Sequence, residues 1–128
     1  MAGTLVANTI NTDTGLFSTN NAYSGIAKAW VTFNGSTGTI NGSFNVGSIT
    51  KNTTGDYTLN FTTAMSNANY ASAGFATSND TSTGHQWSIV TSRLASEQTT
   101  NNTRITTSVS YTATQADFPL VSFIVVGA

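Results

Sequence analysis

Arg104-Ile105-Thr106-Thr107-Ser108-Val109-Ser110-Tyr111-Thr112-Ala113 is the stretch that decides the fold. Ile105, Thr107, Val109, Tyr111 and Ala113 alternate with Thr106, Ser108, Ser110 and Thr112. A period of two belongs to a strand with one buried face and one wet face. Asp56 to Thr62 repeats the pattern, with Tyr57, Leu59 and Phe61 on one side and Thr58, Asn60 and Thr62 on the other. In Ala27 to Phe33, Ala27, Ala29, Val31 and Phe33 share a face; Ile26, Lys28, Trp30 and Thr32 share the opposite one. The face carrying Trp30 is therefore not simply polar.

Working outward, further strands are expected at Thr4 to Ile10, Ile40 to Ile49, Tyr70 to Thr77 and Trp87 to Leu94. A closing strand, Leu120 to Val126, is apolar on both faces, so it either lies inside the domain or meets copies of itself. The turn-rich clusters between strands are Asn34 to Gly38, Asn41-Gly42, Lys51 to Asp56, Ser78 to Gly84 and Glu97 to Asn102. Asn-Gly pairs supply the positive φ that tight turns require. The one proline, Pro119, stands at the head of the last strand, where a missing N–H does least harm. Helix signals are nearly absent, because Thr, Asn, Gly and Ser are poor helix formers and no stretch repeats apolar residues every three or four positions. The expectation is an all-β chain: an antiparallel β-sandwich, jelly-roll-like or Greek-key, over residues 21–128, preceded by an arm or attachment segment over 1–20.

Composition narrows function by exclusion. Of the 128 residues only 7% are charged and the formal net charge is -1. Lys28, Lys51, Arg93 and Arg104 are scattered singly, unlike the clustered cations that bind phosphate backbones or anionic lipid. Nucleic acid is not an expected partner. Neither is membrane insertion, since no apolar run approaches the ~20 residues that span a bilayer. The first residues show no basic leader followed by a long apolar stretch, which reads as a chain made in a cytosol. With no cysteine there is no disulfide framework or thiolate. Stability must come from packing, strand pairing and assembly.

Catalytic groups are few: one histidine and five carboxylates. His85 reads as a polar loop residue with no second histidine to form a relay or a metal cage. Asp56, Asp80 and Asp117 fall in turn contexts, where Asp commonly bonds its own backbone. No nucleophile elbow, phosphate loop, dinucleotide fingerprint or calcium loop is present. The chain is read as a non-enzyme with no cofactor and no metal. Sequons such as Asn34-Gly35-Ser36 arise by chance in a chain this rich in Asn and Thr. Trp30, Trp87 and Tyr70 are candidates for a sugar-stacking platform, with burial in the core or a subunit interface the favoured reading.

Four motifs occur in order: Lys28-Ala29-Trp30-Val31-Thr32-Phe33-Asn34-Gly35, Ser43-Phe44-Asn45-Val46, Gly55-Asp56-Tyr57-Thr58 with Asn60-Phe61-Thr62, and Val121 to Gly127. Together they resemble the terminal tip or knob domain of bacteriophage tail fibres and related virion proteins of the marine and cyanophage type. The resemblance covers roughly Gly25 to Ala128 and is most specific from Lys28 to Tyr70. It implies a virion structural protein, made in the host cytoplasm and assembled as a homotrimer with other virion proteins. Its outer loops would contact a host-surface receptor, glycan by preference. Asn79, Asp80, His85, Gln86, Asn101 and Asn102 are the residues this reading places in contact. The alternatives are a capsid decoration or head-fibre protein with a purely architectural role, its arm docking on neighbouring subunits, and a stand-alone carbohydrate-binding module.

Overall fold

The structure, a computed structural model, describes residues 9–12, 15–18, 25–78, 88–110 and 112–127. The protein is all-β, with two antiparallel sheets packed face to face and, among the described residues, a 3-10 turn at Ala95–Glu97. The strands are β1 Thr9–Thr12, β2 Gly15–Ser18, β3 Ala27–Phe33, β4 Ile40–Phe44, β5 Val46–Thr53 and β6 Asp56–Phe61, followed by β7 Ala71–Thr77, β8 Ser88–Ser92, β9 Asn102–Val109, β10 Thr114–Gln115 and β11 Leu120–Val126. One sheet runs β4-β3-β11-β7. The other runs β5-β6-β9-β8, with short β10 continuing the β6 edge of β9. A separate hairpin, β1-β2, lies outside both.

Alternation sets the core. Ala29, Val31 and Phe33 of β3, with Val121, Phe123 and Val125 beside them on β11, face Tyr57 and Leu59 of β6 and Ile105 of β9, all buried. Phe33 meets Tyr57 edge-to-face at 5.1 Å, and Phe61 meets Tyr70 the same way at 5.9 Å, the geometry that ring quadrupoles favour. Phe118, just ahead of Pro119, closes the same cluster. Val90 packs at its margin, and the Ser88 hydroxyl donates to the Ala76 carbonyl, which ties β8 to β7 where the two sheets meet.

Strands β3 and β11 coincide with the spans read from the sequence. Elsewhere the structure corrects the reading. Ile40 to Ile49 is not one strand: the chain leaves one sheet at Phe44 and enters the other at Val46, kinked at Asn45 with φ 55. Asparagine tolerates this left-handed geometry because its short side chain can bond nearby backbone. Here Nδ2 donates to the carbonyls of Lys28 at 3.1 Å and Thr63 at 3.0 Å, while Oδ1 accepts from the Thr63 amide at 2.7 Å. Asn41-Gly42, read as a turn, lies inside β4, where the Trp30 ring covers Gly42. Lys51 to Thr53 is strand as well, and the hairpin turn is only Thr54-Gly55.

The decisive stretch is itself shorter than its pattern. β9 ends at Val109 and the chain has turned back by Ala113, φ 53, to form β10. The period-two pattern continues through the turn because short Thr and Ser side chains suit a turn as well as a wet strand face.

Asn45→Ala should therefore cost about 2 kcal/mol, from three lost hydrogen bonds and the left-handed penalty. Asn45→Gly, free of that penalty, should recover about 1 kcal/mol of it. Urea midpoints of the two variants check the order.

Candidate functional site

The outward side of β4-β3-β11-β7 is the unusual surface. Pairing sets Phe44 beside Trp30, Trp30 beside Ile124, and Ile124 beside Ala73, one continuous row across four strands. In the next row Gly42, Thr32, Ser122 and Phe75 follow in the same order. Trp30 is 41% exposed, Phe44 54%, Phe75 62% and Ile124 42%. A groove of ≈ 360 Å³ runs among Trp30, Thr32, Ala73, Phe75, Ser122 and Ile124, its walls almost entirely carbon. Contiguous exposed apolar surface of this kind is a common feature of interaction sites.

The outward side of the other sheet is its opposite. Asn60 Nδ2 donates to Ser48 Oγ and Thr50 Oγ1, both at 3.1 Å; Asn52 Nδ2 donates to Asp56 Oδ1 at 3.1 Å and Thr58 Oγ1 at 3.0 Å. Thr91 and Thr106 share a hydroxyl hydrogen bond at 3.0 Å. Apart from Ile89 and the Asp56-Arg104 ion pair, this face carries hydroxyls and amides that water can cover without loss.

Two ionic clusters brace the sandwich. Arg104 grips the buried Asp56 with both ends of its fork, Nε to Oδ1 at 2.7 Å and Nη2 to Oδ2 at 2.8 Å. Glu97 Oε1 accepts from Arg104 Nη1 at 2.9 Å and Arg93 Nη1 at 2.8 Å, and Arg93 Nε lies 3.5 Å from Asp56. The arginines that look solitary in sequence are adjacent across β8 and β9. Asp117, in the second cluster, accepts from Lys51 Nζ at 2.6 Å, the Tyr57 hydroxyl at 2.6 Å and the Gly55 amide at 2.8 Å. Neither Asp56 nor Asp117 forms the local turn expected of it. Both join segments distant in the chain, because each carboxylate is partly withdrawn from water and must find donors there.

These surroundings fix protonation. The Arg104 guanidinium holds the Asp56 carboxyl below the usual carboxylate range. Burial pushes Asp117 up, but Lys51, Tyr57 and the Gly55 amide together leave it lowered. Burial first, and then the Asp117 carboxylate, push the Tyr57 hydroxyl well above its ordinary 10.0. A group raised on folding stabilises fully below its unfolded value and loses that contribution as pH rises through its folded one. Tyr57→Phe should accordingly cost about 1 kcal/mol at neutral pH. It should also flatten the fall in stability above about pH 10. Thermal melts across that range test both.

Of the receptor-contact residues, Asn79, Asp80, His85 and Gln86 lie outside the described residues, as does Trp87. Asn101 and Asn102 belong to a tight turn within the cluster Glu97 to Asn102. Thr99 Oγ1 accepts from the amides of Asn101 at 3.2 Å and Asn102 at 3.0 Å, and Gln98 bridges to Thr103. Asn101 is exposed; Asn102 opens β9 and its Oδ1 accepts from the Thr99 hydroxyl at 3.2 Å. Tyr70 is buried, its hydroxyl donating to the Thr99 and Asn102 carbonyls, so it supports this turn from below. No family model, curated protein or solved structure matches the chain. Among the described residues no cluster of three His, Cys, Asp or Glu side chains forms a metal-sized group, and no helix is long and apolar enough to cross a membrane.

Sequence reasoning noticed that the Trp30 face is not polar but missed Phe44 and Phe75 as its neighbours. Phe44 sits in a run read through as a single strand, and Phe75 lies in β7, whose place beside β11 no local pattern announces.

Proposed function

We propose that the chain is a virion structural protein of the bacteriophage tail-fibre or knob kind, a homotrimer whose outer loops contact a host-surface receptor, glycan by preference. The observation carrying this reading is the contrast between the two outer faces: one polar, bearing hydroxyls, amides and the Asp56-Arg104 ion pair, the other bearing the Phe44-Trp30-Ile124 row. A free-standing module gains nothing from an apolar sheet face in water, whereas an assembling subunit buries it. The pairing of the first body strand, β3, with the last, β11, fits jelly-roll-like closure. The motifs from Lys28 to Tyr70 supply the link to phage fibres.

The groove argues against the carbohydrate-module reading. Sugar sites combine an aromatic platform with convergent polar groups, and walls of carbon beside Trp30 lack them. A purely architectural role draws support from the Thr99-Asn102 turn, which spends much of its hydrogen bonding internally.

Light scattering on the full chain at micromolar concentration is expected to return three copies, and fluorescently labelled protein is expected to be retained on host cells. A monomer would sink the assembly reading. A trimer that ignores host cells but is found on the particle would favour the architectural role.

A further inference from the structure

The chain has two Asn-Gly pairs, Asn34-Gly35 and Asn41-Gly42, and the fold treats them differently. An asparagine followed by glycine is open to attack on itself, because a residue without a β-carbon lets its amide nitrogen reach the preceding side chain. The glycine nitrogen bonds to the asparagine Cγ, the Cγ–Nδ2 bond breaks, and ammonia leaves with the glycine's amide proton. Water then opens the cyclic imide at either carbonyl, giving aspartate or isoaspartate. Water is the sole co-reactant.

Asn34-Gly35 is held against this step. Asn34 Oδ1 accepts from the amides of Ser36 at 2.9 Å and Thr37 at 3.1 Å. The nitrogen that would attack, that of Gly35, donates to the Phe118 carbonyl at 2.8 Å. Gly35 is buried, and a β-carbon there would lie 2.6 Å from that oxygen and 2.7 Å from the Tyr57 hydroxyl. Turning Gly35 toward the Asn34 side chain therefore displaces Phe118 and Tyr57, both of the core.

Asn41-Gly42 lies where pairing fails. Among the described residues β4 is the outer strand of its sheet. Gly42 pairs with Thr32 and Ile40 with Phe33, so Asn41 is an extra residue with no counterpart on β3. Such a bulge disrupts the ladder around it. Asn41 is exposed, and no residue of β4 is buried. Opening a short outer strand is a local event, whereas freeing Gly35 disturbs the core, and local openings cost far less.

We infer that Asn41-Gly42 is a site of spontaneous deamidation in the folded protein, and that the fold protects the same dipeptide at Asn34-Gly35. The product puts a carboxylate on β4. Its isoaspartyl form also adds a backbone atom between Ile40 and Gly42, beneath the Trp30 ring, so ageing disturbs the pairing of Phe44 with Trp30. The inference is independent of the assembly reading.

Hydroxylamine, which cleaves the imide formed at Asn-Gly, reads both sites in one sample. The full chain is treated in mildly alkaline buffer, with near-UV circular dichroism showing it folded, and again in concentrated urea. In urea, where sequence alone sets the rates, both bonds should break. In the folded protein the expected fragments are 1–41 and 42–128, with cleavage after Asn34 at least about tenfold slower than after Asn41. A ratio below about tenfold, or a folded protein cut at neither site, overturns the inference. Prolonged incubation without hydroxylamine should place isoaspartate in the tryptic peptide 29–51, and Asn41→Gln, whose longer side chain closes the ring slowly, should abolish it. Isoaspartate persisting in that peptide of the Asn41→Gln protein overturns the assignment.

Discussion

Gly55→Ala is expected to lower the free energy of unfolding by about 4 kcal/mol, the sum of a left-handed backbone penalty and an overpacking penalty. Gly55 has φ 66 and closes the hairpin between β5 and β6. Its amide donates to Asp117 at 2.8 Å and its carbonyl accepts from the Thr107 amide at 2.8 Å. A β-carbon there would lie 2.5 Å from the Thr107 oxygen and 2.7 Å from the Ala116 nitrogen. Both are backbone atoms, and they are bonded to each other at 3.1 Å, so neither yields without opening the sheet.

Two other glycines separate the contributions. Gly38→Ala, with φ 74 but no atom nearer than 3.9 Å, should cost only the backbone penalty of about 1 kcal/mol. Gly25→Ala, with nothing within 4 Å, should change stability by less than about 0.5 kcal/mol. Urea titration of the three variants tests the order. If Gly55→Ala matched Gly38→Ala, the close approach of β9 to this turn would be wrong.

The same position shows where sequence reading works and where it stops. Ala27 to Phe33 is legible because burial alternates along the strand itself, and Leu120 to Val126 because it is apolar on both faces. Asn45 is not, because one left-handed residue between Phe44 and Val46 leaves their period-two spacing in the sequence intact. Gly55 reads correctly as a turn residue, yet nothing local says that Thr107 and Ala116 press against it. The candidate assembly face is half legible: Trp30 stands out as an aromatic on the wrong side of β3, while its alignment with Phe44 and Ile124 depends on which strands become neighbours. Asp56 and Asp117 mislead for the same reason. Each sits beside turn residues, and each bonds groups that only the folded chain brings near.

Asp56→Asn is the second substitution with a large expected effect, a loss of about 3 kcal/mol at neutral pH. The change keeps shape but removes the charge on which two guanidiniums converge. Arg93 and Arg104 would then share Glu97 alone, their remaining ionic partner among the described residues. The damage would also loosen the Ala95–Glu97 turn and, through Gln98, which donates to the carbonyls of Ala68 and Tyr70, the base of the Thr99-Asn102 turn. The sign of the pH effect follows from the lowered carboxylates. A group depressed on folding contributes fully above its unfolded value, here 3.8, and loses that contribution as pH falls through its folded value. Wild-type stability should therefore be level from about pH 5 to about pH 10, where loss of the Tyr57 contribution begins, and fall progressively below about pH 4. Asp56→Asn should start lower, descend less steeply and approach the wild-type curve in strong acid, with Asp117 supplying the remaining slope. Adding Asp117→Asn should remove most of that slope as well. Parallel wild-type and Asp56→Asn curves down to strong acid would mean that the Asp56 carboxylate is not held by Arg104 in the folded protein.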